Sequence, residues 1–229
     1  MRVCEGSDIP NMTSDRGSRP KEPLHAGPDR IKWGPTHLTV MTEGIVVALT
    51  GTPGTGKTTL GARLAEGGWE VVNLRDVAAM LGCLGEVEAD GASPVDVHAL
   101  AEQWQPPSGR VIVDGHLSHF LDVDAVVLLR CHPDALADRL TERGYPAEKV
   151  RANVEWEMTS GHWAELLEFE VEAPVLEVEA THVSVDALAE NVLAWLAEGC
   201  PSPSVEERAI AAVDWLNEGT FPRNEAHKG

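Results

Sequence analysis

From Ile45 onward the chain alternates short, uniformly apolar runs with segments whose apolar positions recur every three or four residues. Ile45–Thr50 (IVVALT), Glu70–Asn73, Arg110–Asp114 (RVIVD), Ala125–Arg130 (AVVLLR) and residues 175–178 read as five strands. Most lack polar alternation, as expected of strands covered on both faces. Helix periods fill the gaps. Lys57–Glu66 carries Leu60, Leu64 and Ala65 on one side and stops at Gly67-Gly68. Residues 76–81 and 95–104 read as short helices. A longer one over 134–143 follows Pro133, a residue suited to a first helical turn. Residues 148–169 read as helical, and Val185–Ala197 turns Leu188, Val192, Leu193 and Leu196 inward. Strands alternating with helices predict an α/β three-layer sandwich around a five-stranded parallel sheet. Its crossovers should be right-handed and its site should lie at the carboxyl ends of the strands.

The flanks read differently. Residues 1–41 are rich in Gly, Pro, Ser, Arg and Asp and have no sustained period, so a disordered extension is expected. Met41 directly precedes the first strand and is expected to be the true start. Residues 42–199 form the expected domain. Pro201-Ser202-Pro203-Ser204 reads as a linker, and 205–216 as one amphipathic helix within a C-terminal extension, 200–229. The acidic, glycine-containing stretch 82–93 is expected to be a mobile surface segment.

One glycine pattern gives this framework a chemistry. Gly51-Thr52-Pro53-Gly54-Thr55-Gly56-Lys57-Thr58 matches the P-loop pattern and lies between a strand and a helix. Such a loop turns backbone N–H groups toward phosphate oxygens, so Gly54 and Gly56 must keep the approach open. The helix N-terminus adds partial positive charge. Lys57 supplies a full charge for the β- and γ-phosphates. Thr58 offers a hydroxyl to Mg²⁺, and Thr59 reaches the α-phosphate. The nucleotide expected is ATP with Mg²⁺.

Two further places carry candidate chemistry. The strand RVIVD ends in Asp114, which would hold Mg²⁺ through water, and His116 follows two residues later as a candidate to position or exchange a proton. His119 is read as structural or solvent-exposed. Arg139, Arg143 and Lys149 cluster about Gly144-Tyr145. A guanidinium suits the charge that spreads over a transferring phosphoryl group, and Arg143, beside Gly144, is the best placed.

Composition narrows the partners. The formal charge is −19, from 37 acidic and 18 basic residues, and only five of the basic residues are lysines. Such a surface disfavours autonomous binding to nucleic acid or anionic membrane. It fits a high-salt cytoplasm, where screening shortens self-repulsion. Hydrophobic residues make up 43%, enough for a sizeable core. The four cysteines form no C-x-x-C pair, so reduced thiols in a cytoplasmic protein are expected. No apolar run approaches the length of a membrane span. The chain has no N-K-x-D motif for reading guanine.

These motifs together resemble the adenylate kinase isoenzyme six family, the small archaeal and nuclear adenylate kinases also linked to ribosome assembly. The resemblance spans Gly44 to about Leu196. It rests on the P-loop, Asn73-Leu-Arg-Asp76, Val111-Ile-Val-Asp-Gly-His116, and Arg139-Leu-Thr-Glu-Arg-Gly-Tyr145 with Lys149 and Asn153. It implies a nucleoside-monophosphate-kinase core with a monophosphate-gripping segment, about 73–96, that starts near Asn73 and includes Asp76. It also implies a short lid, about 142–152. By position, Gly54, Gly56, Lys57, Thr58 and Thr59 would bind ATP, Arg143 would act from the lid, and His116 would match the histidine implicated in activity. The family's activities are adenylate kinase (ATP plus AMP giving two ADP) and ATPase, with a role in late maturation of the small ribosomal subunit. A small-subunit ribosomal protein is therefore an implied partner. Arg75 stands where a smaller residue is expected. The residues by themselves leave open an ATPase switch without kinase activity, and a kinase for a small metabolite.

Overall fold

A computed structural model describes residues 44–87 and 93–217. The expectations for residues 1–41, including the start at Met41, lie outside the described residues. So does the centre of the 82–93 stretch. The described ends of that stretch are pinned by an antiparallel bridge between Leu84 and Val95 and by Gly85 N–H donating to Pro94 O at 2.8 Å.

Five strands form one sheet: β1 (Ile45–Thr50), β2 (Glu70–Asn73), β3 (Arg110–Asp114), β4 (Ala125–Arg130) and β5 (Val175–Glu179). Their spatial order is β2-β3-β1-β4-β5, and every pairing is parallel. Successive side chains of a strand point to opposite faces. Val47, Leu49, Ile112, Val127 and Leu129 therefore join one core, packed with Leu60 and Leu64 of α1 (Lys57–Glu66) and with Val192 and Trp195 of α7 (Val185–Ala197). Val46, Ala48, Val111, Val113, Val126 and Leu128 join the other. There they meet α2 (Leu74–Met80), α3 (Val97–Gln103) and α6 (Gly161–Glu168) through Leu74, Ala78, Leu100, Trp163 and Leu166. Each Val or Leu so buried contributes about 1.5–3 kcal/mol, which is why the interiors of β1, β3 and β4 carry no polar alternation.

α4 (Pro133–Glu142) and α5 (Ala147–Met158) are joined through Gly144-Tyr145-Pro146. Leu136 and Leu140 pack there with Tyr145, Val150 and Val154. Several helix limits depart from the pattern-based expectation. Asn73 and Asp96 cap α2 and α3 by accepting from Arg75 N–H and Ala99 N–H, which sets their first turns. The helix expected over 148–169 is broken at Ser160, which has φ 54°, and the next residue, Gly161, backs so closely onto the Trp156 ring that a Cβ would collide with it. The helix expected over 205–216 ends early: α8 is Val205–Ile210. Asp214 accepts from the N–H groups of Leu216 and Asn217, a local turn that competes with a helix. This turn carries Trp215 inward.

Candidate active site

The loop between β1 and α1 sits at the carboxyl end of the central strand. Gly51 and Gly54 have φ 133° and 97°, and a Cβ on either would meet Leu129 O or the Leu136 side chain. Gly56 caps α1 at φ 108°, with open space where a Cβ would be, so conformation rather than crowding requires glycine there. Lys57 lies buried and folds back on the loop. Its Nζ donates to Gly51 O at 2.6 Å and to Thr52 O at 3.0 Å. Burial pushes its ammonium down to about 8. The Asp114 and Glu157 charges oppose that shift, and Arg143 adds to it. A poorly solvated cation held only by neutral carbonyls is poised to exchange them for phosphate oxygens.

Beside it, Thr58 Oγ1 donates to Asp114 Oδ2 at 2.9 Å. A hydroxyl and a carboxylate converging at the rim of a phosphate loop are hard oxygen donors, the set that suits Mg²⁺. Asp114 is buried at the end of β3, in register with Leu49 on one side and Asn73 on the other. His116 leaves the same strand end. Its backbone carbonyl accepts from Thr50 Oγ1 at 2.9 Å, and its side chain keeps solvent contact. Dense surroundings, then the Lys57 charge, push its imidazole down to about 4. Solvent access softens that shift, and with or without the softening the ring is neutral at pH 7.

A cavity of about 580 Å³ opens next to the loop. Gly54 and Thr59 border it on the loop side, Arg143 on the α4 side, and Val183, Val185 and Leu188 form an apolar wall. Its volume and its mix of apolar surface with a few polar groups suit a nucleotide base and sugar.

A family model described as an AAA domain matches residues 47–159. A Pyrococcus abyssi protein named "Putative adenylate kinase" is 38% identical over 172 residues, covering 75% of this chain and 91% of that protein. A Halobacterium salinarum protein of the same name is 41% identical over 162 residues, 69% of this chain and 93% of the other. The chain belongs to this adenylate kinase family. Among solved structures, a shikimate kinase from Bacteroides thetaiotaomicron aligns at 19% identity over 66% of this chain and 98% of that one, with a TM-score of 0.41.

In this family member the remaining candidates fall in different places. Asn73 caps α2, its side chain accepting from Arg75 N–H at 2.9 Å, and lies next to Asp114 in the sheet. Asp76 is exposed in the first turn of the same helix. Arg75 is exposed and reaches Ser93 O at 3.5 Å. Arg139 is a bracket. Its guanidinium donates to Thr181 O at 2.9 Å and Ala180 O at 3.4 Å, and touches Gly54 O at 3.5 Å, tying the segment after β5 to the loop. Lys149 lies over the Tyr145 ring, 5.5 Å from its centre. Arg143 ends α4 at the cavity edge. The structure thus brings Lys57, Thr58, Asp114 and Arg143 around one loop, with His116 and Asn73 at the adjoining strand ends.

The kinase also contains an ionic layer that the sequence reading did not find. Arg130, at the end of β4, is almost fully buried. Its Nε donates to Glu157 Oε1 at 2.7 Å, and its Nη1 to Glu177 Oε1 at 2.6 Å. The other Glu157 oxygen accepts from Thr52 Oγ1 of the P-loop at 2.5 Å. Cys131 N–H and Trp215 Nε1 complete Glu157, at 3.1 and 3.3 Å. Trp163 Nε1 and Val213 N–H complete Glu177, at 2.8 and 3.1 Å. These partners lie as far as 105 residues apart in sequence, and no local spacing announces them. The one sequence signal was an arginine closing an otherwise apolar strand. His119 is buried too, as one of the two expected alternatives had it. Its Nδ1 lies 3.0 Å from Thr50 Oγ1 and its Nε2 3.2 Å from Glu165 Oε2. No described helix is long and apolar enough to cross a membrane.

Proposed function

We propose that this chain transfers the γ-phosphoryl group of ATP to AMP, giving two ADP. The observation that carries the reading is the convergence of Lys57, the Thr58–Asp114 pair and Arg143 on one P-loop beside a nucleotide-sized cavity. ATP would lay its base against Val183, Val185 and Leu188 and its phosphates in the loop. Lys57 would leave the Gly51 and Thr52 carbonyls for the β- and γ-oxygens. Gly54 and Gly56 keep the backbone N–H groups accessible, and Thr59 would reach the α-phosphate. Mg²⁺ would neutralise phosphate charge, held by Thr58 directly and by Asp114 through water. Arg143 would close from the α4–α5 turn onto the transferring group. Little covalent chemistry falls to the protein, so rate comes from position and field.

AMP would approach from the β2–β3 side, where Asn73 adjoins Asp114 and Asp76 starts α2. Neutral His116 at the same strand end would accept or relay a proton from the acceptor. A second reading has its own support. Because His116 keeps solvent contact beside Asp114, it is equally placed to orient water. The chain would then also hydrolyse ATP in the cytoplasm. A charge of −19 favours docking on a basic small-subunit ribosomal protein over bare nucleic acid. Purified protein with Mg²⁺ and ATP, with and without AMP, separates the readings. Rapid ADP formation only with AMP supports the kinase. Slow hydrolysis indifferent to AMP and stimulated by a small-subunit protein supports the switch.

A further inference from the structure

Against Thr50 and Thr52, at the junction of β1 with the P-loop, three ligand-bearing side chains converge. His119 comes from the short 3-10 turn Ser118–Phe120 after β3, and His162 and Glu165 come from α6 with i,i+3 spacing. His119 Nε2 and His162 Nδ1 each lie 3.2 Å from the same oxygen, Glu165 Oε2, and the three donor atoms lie within 4.8 Å of one another. Both histidines are buried, and the Glu165 side chain is 19% exposed, the one edge open to water.

Thr50 has one hydroxyl proton and donates it to His116 O at 2.9 Å. The 3.0 Å contact between Thr50 Oγ1 and His119 Nδ1 therefore needs the proton on Nδ1, so Nε2 is the ring nitrogen available to a ligand beside Glu165. Thr52 likewise gives its proton to Glu157 at 2.5 Å. His162 lies between Thr52 Oγ1, 3.4 Å from its Nε2, and Glu165 Oε2, 3.2 Å from its Nδ1, and its tautomer decides which of the two it donates to. Two imidazole nitrogens and a carboxylate oxygen therefore meet at one buried point. His119 Nε2 has no hydrogen-bond partner there, although it is fully buried. A cation placed between them would meet all three donor atoms.

We propose that His119, His162 and Glu165 are a binding site for a divalent transition metal of the Zn²⁺ type, separate from the Mg²⁺ position at Thr58 and Asp114. Two imidazoles and one carboxylate are a known zinc ligand set, which leaves a fourth position for water. With metal bonds of about 2.0–2.1 Å, tetrahedral ligands stand about 3.3–3.4 Å apart. Two of the three edges, at 3.2 Å, already have nearly that length. Each imidazole directs its other ring nitrogen at a hydroxyl, the outer-shell hydrogen bond that orients metal-binding histidine. Those hydroxyls belong to Thr50 and Thr52 of the β1–P-loop junction. A metal here ties α6 to the phosphate loop. Borderline nitrogen donors select against Mg²⁺ and Ca²⁺, which prefer oxygen.

The test uses the tag-free full chain, stripped with a chelator and checked for folding by circular dichroism. It is titrated with Zn²⁺ by calorimetry and with Co²⁺ by visible absorption. One metal per chain, with the intense ligand-field bands of four-coordinate Co²⁺, is expected. E165Q and H162N should each weaken binding at least about 100-fold, more than loss of an outer-shell partner costs. D114N should leave Zn²⁺ affinity unchanged while weakening Mg²⁺–ATP. The proposal is overturned if the folded wild-type chain takes up no stoichiometric Zn²⁺ or Co²⁺. It is equally overturned if uptake persists undiminished in folded E165Q and H162N, which would place the metal elsewhere.

Discussion

The two sides of the P-loop are built from opposite kinds of bond. On the nucleotide side, Lys57 rests on two backbone carbonyls and Thr58 on Asp114, contacts that a ligand can replace without opening the core. Beneath it, Thr52 is gripped by Glu157, which is held in turn by Arg130, Cys131 and Trp215, all buried and mutually satisfied. The first set is provisional and carries the chemistry. The second is saturated and can only hold shape. Substitutions on one side should therefore alter rate without stability, and on the other the reverse.

Lys57→Met tests the provisional side most severely. Turnover should fall by about 10³ or more, since the transferring phosphoryl group loses its main cation. Thermal stability should hold, because a desolvated charge leaves with the side chain. A large drop in melting temperature would place Lys57 among the structural groups. Arg130→Met tests the other side. It leaves Glu157 and Glu177 buried without their cation, and denaturant unfolding should show a loss of about 3–5 kcal/mol. Unchanged stability would mean that the layer is dispensable.

Arg143→Ala should slow transfer by about 10²-fold, with ATP affinity less affected and the melting temperature unchanged. Single-turnover kinetics would separate those effects. His116→Ala should lower transfer or hydrolysis by about 10² if the ring handles a proton, and equal rates in the two proteins would return it to structure. The smallest effect belongs to Trp215→Phe. It keeps the ring packing and removes one donor to Glu157, for a stability loss of about 1 kcal/mol.

The same division explains what could be read from the chain. All five strands, the P-loop and the helix that follows it were legible because their signals are local: an apolar run, a glycine spacing, a period. Asp114 and His116 could be singled out because they close such a run. Glu157 could not, because nothing near it in sequence shows that Thr52, 105 residues away, lies against it. The break at Ser160 was hidden for a similar reason. The helical period continues through it, and the packing of Gly161 against the Trp156 ring becomes visible only in three dimensions. The inward turn at Trp215 likewise depends on Glu157 and Glu177 as distant partners. Asn73 was picked out for the acceptor site, and its structural work as the cap of α2 became visible only in three dimensions.

Calorimetric titration of the folded chain with Mg²⁺ and a non-hydrolysable ATP analogue goes to the centre of this account. It should show one site per chain in the wild type and severe weakening in Lys57→Met. No detectable heat with the folded wild-type protein, or equal affinity in the two, would contradict the assignment of the loop as the phosphate cradle.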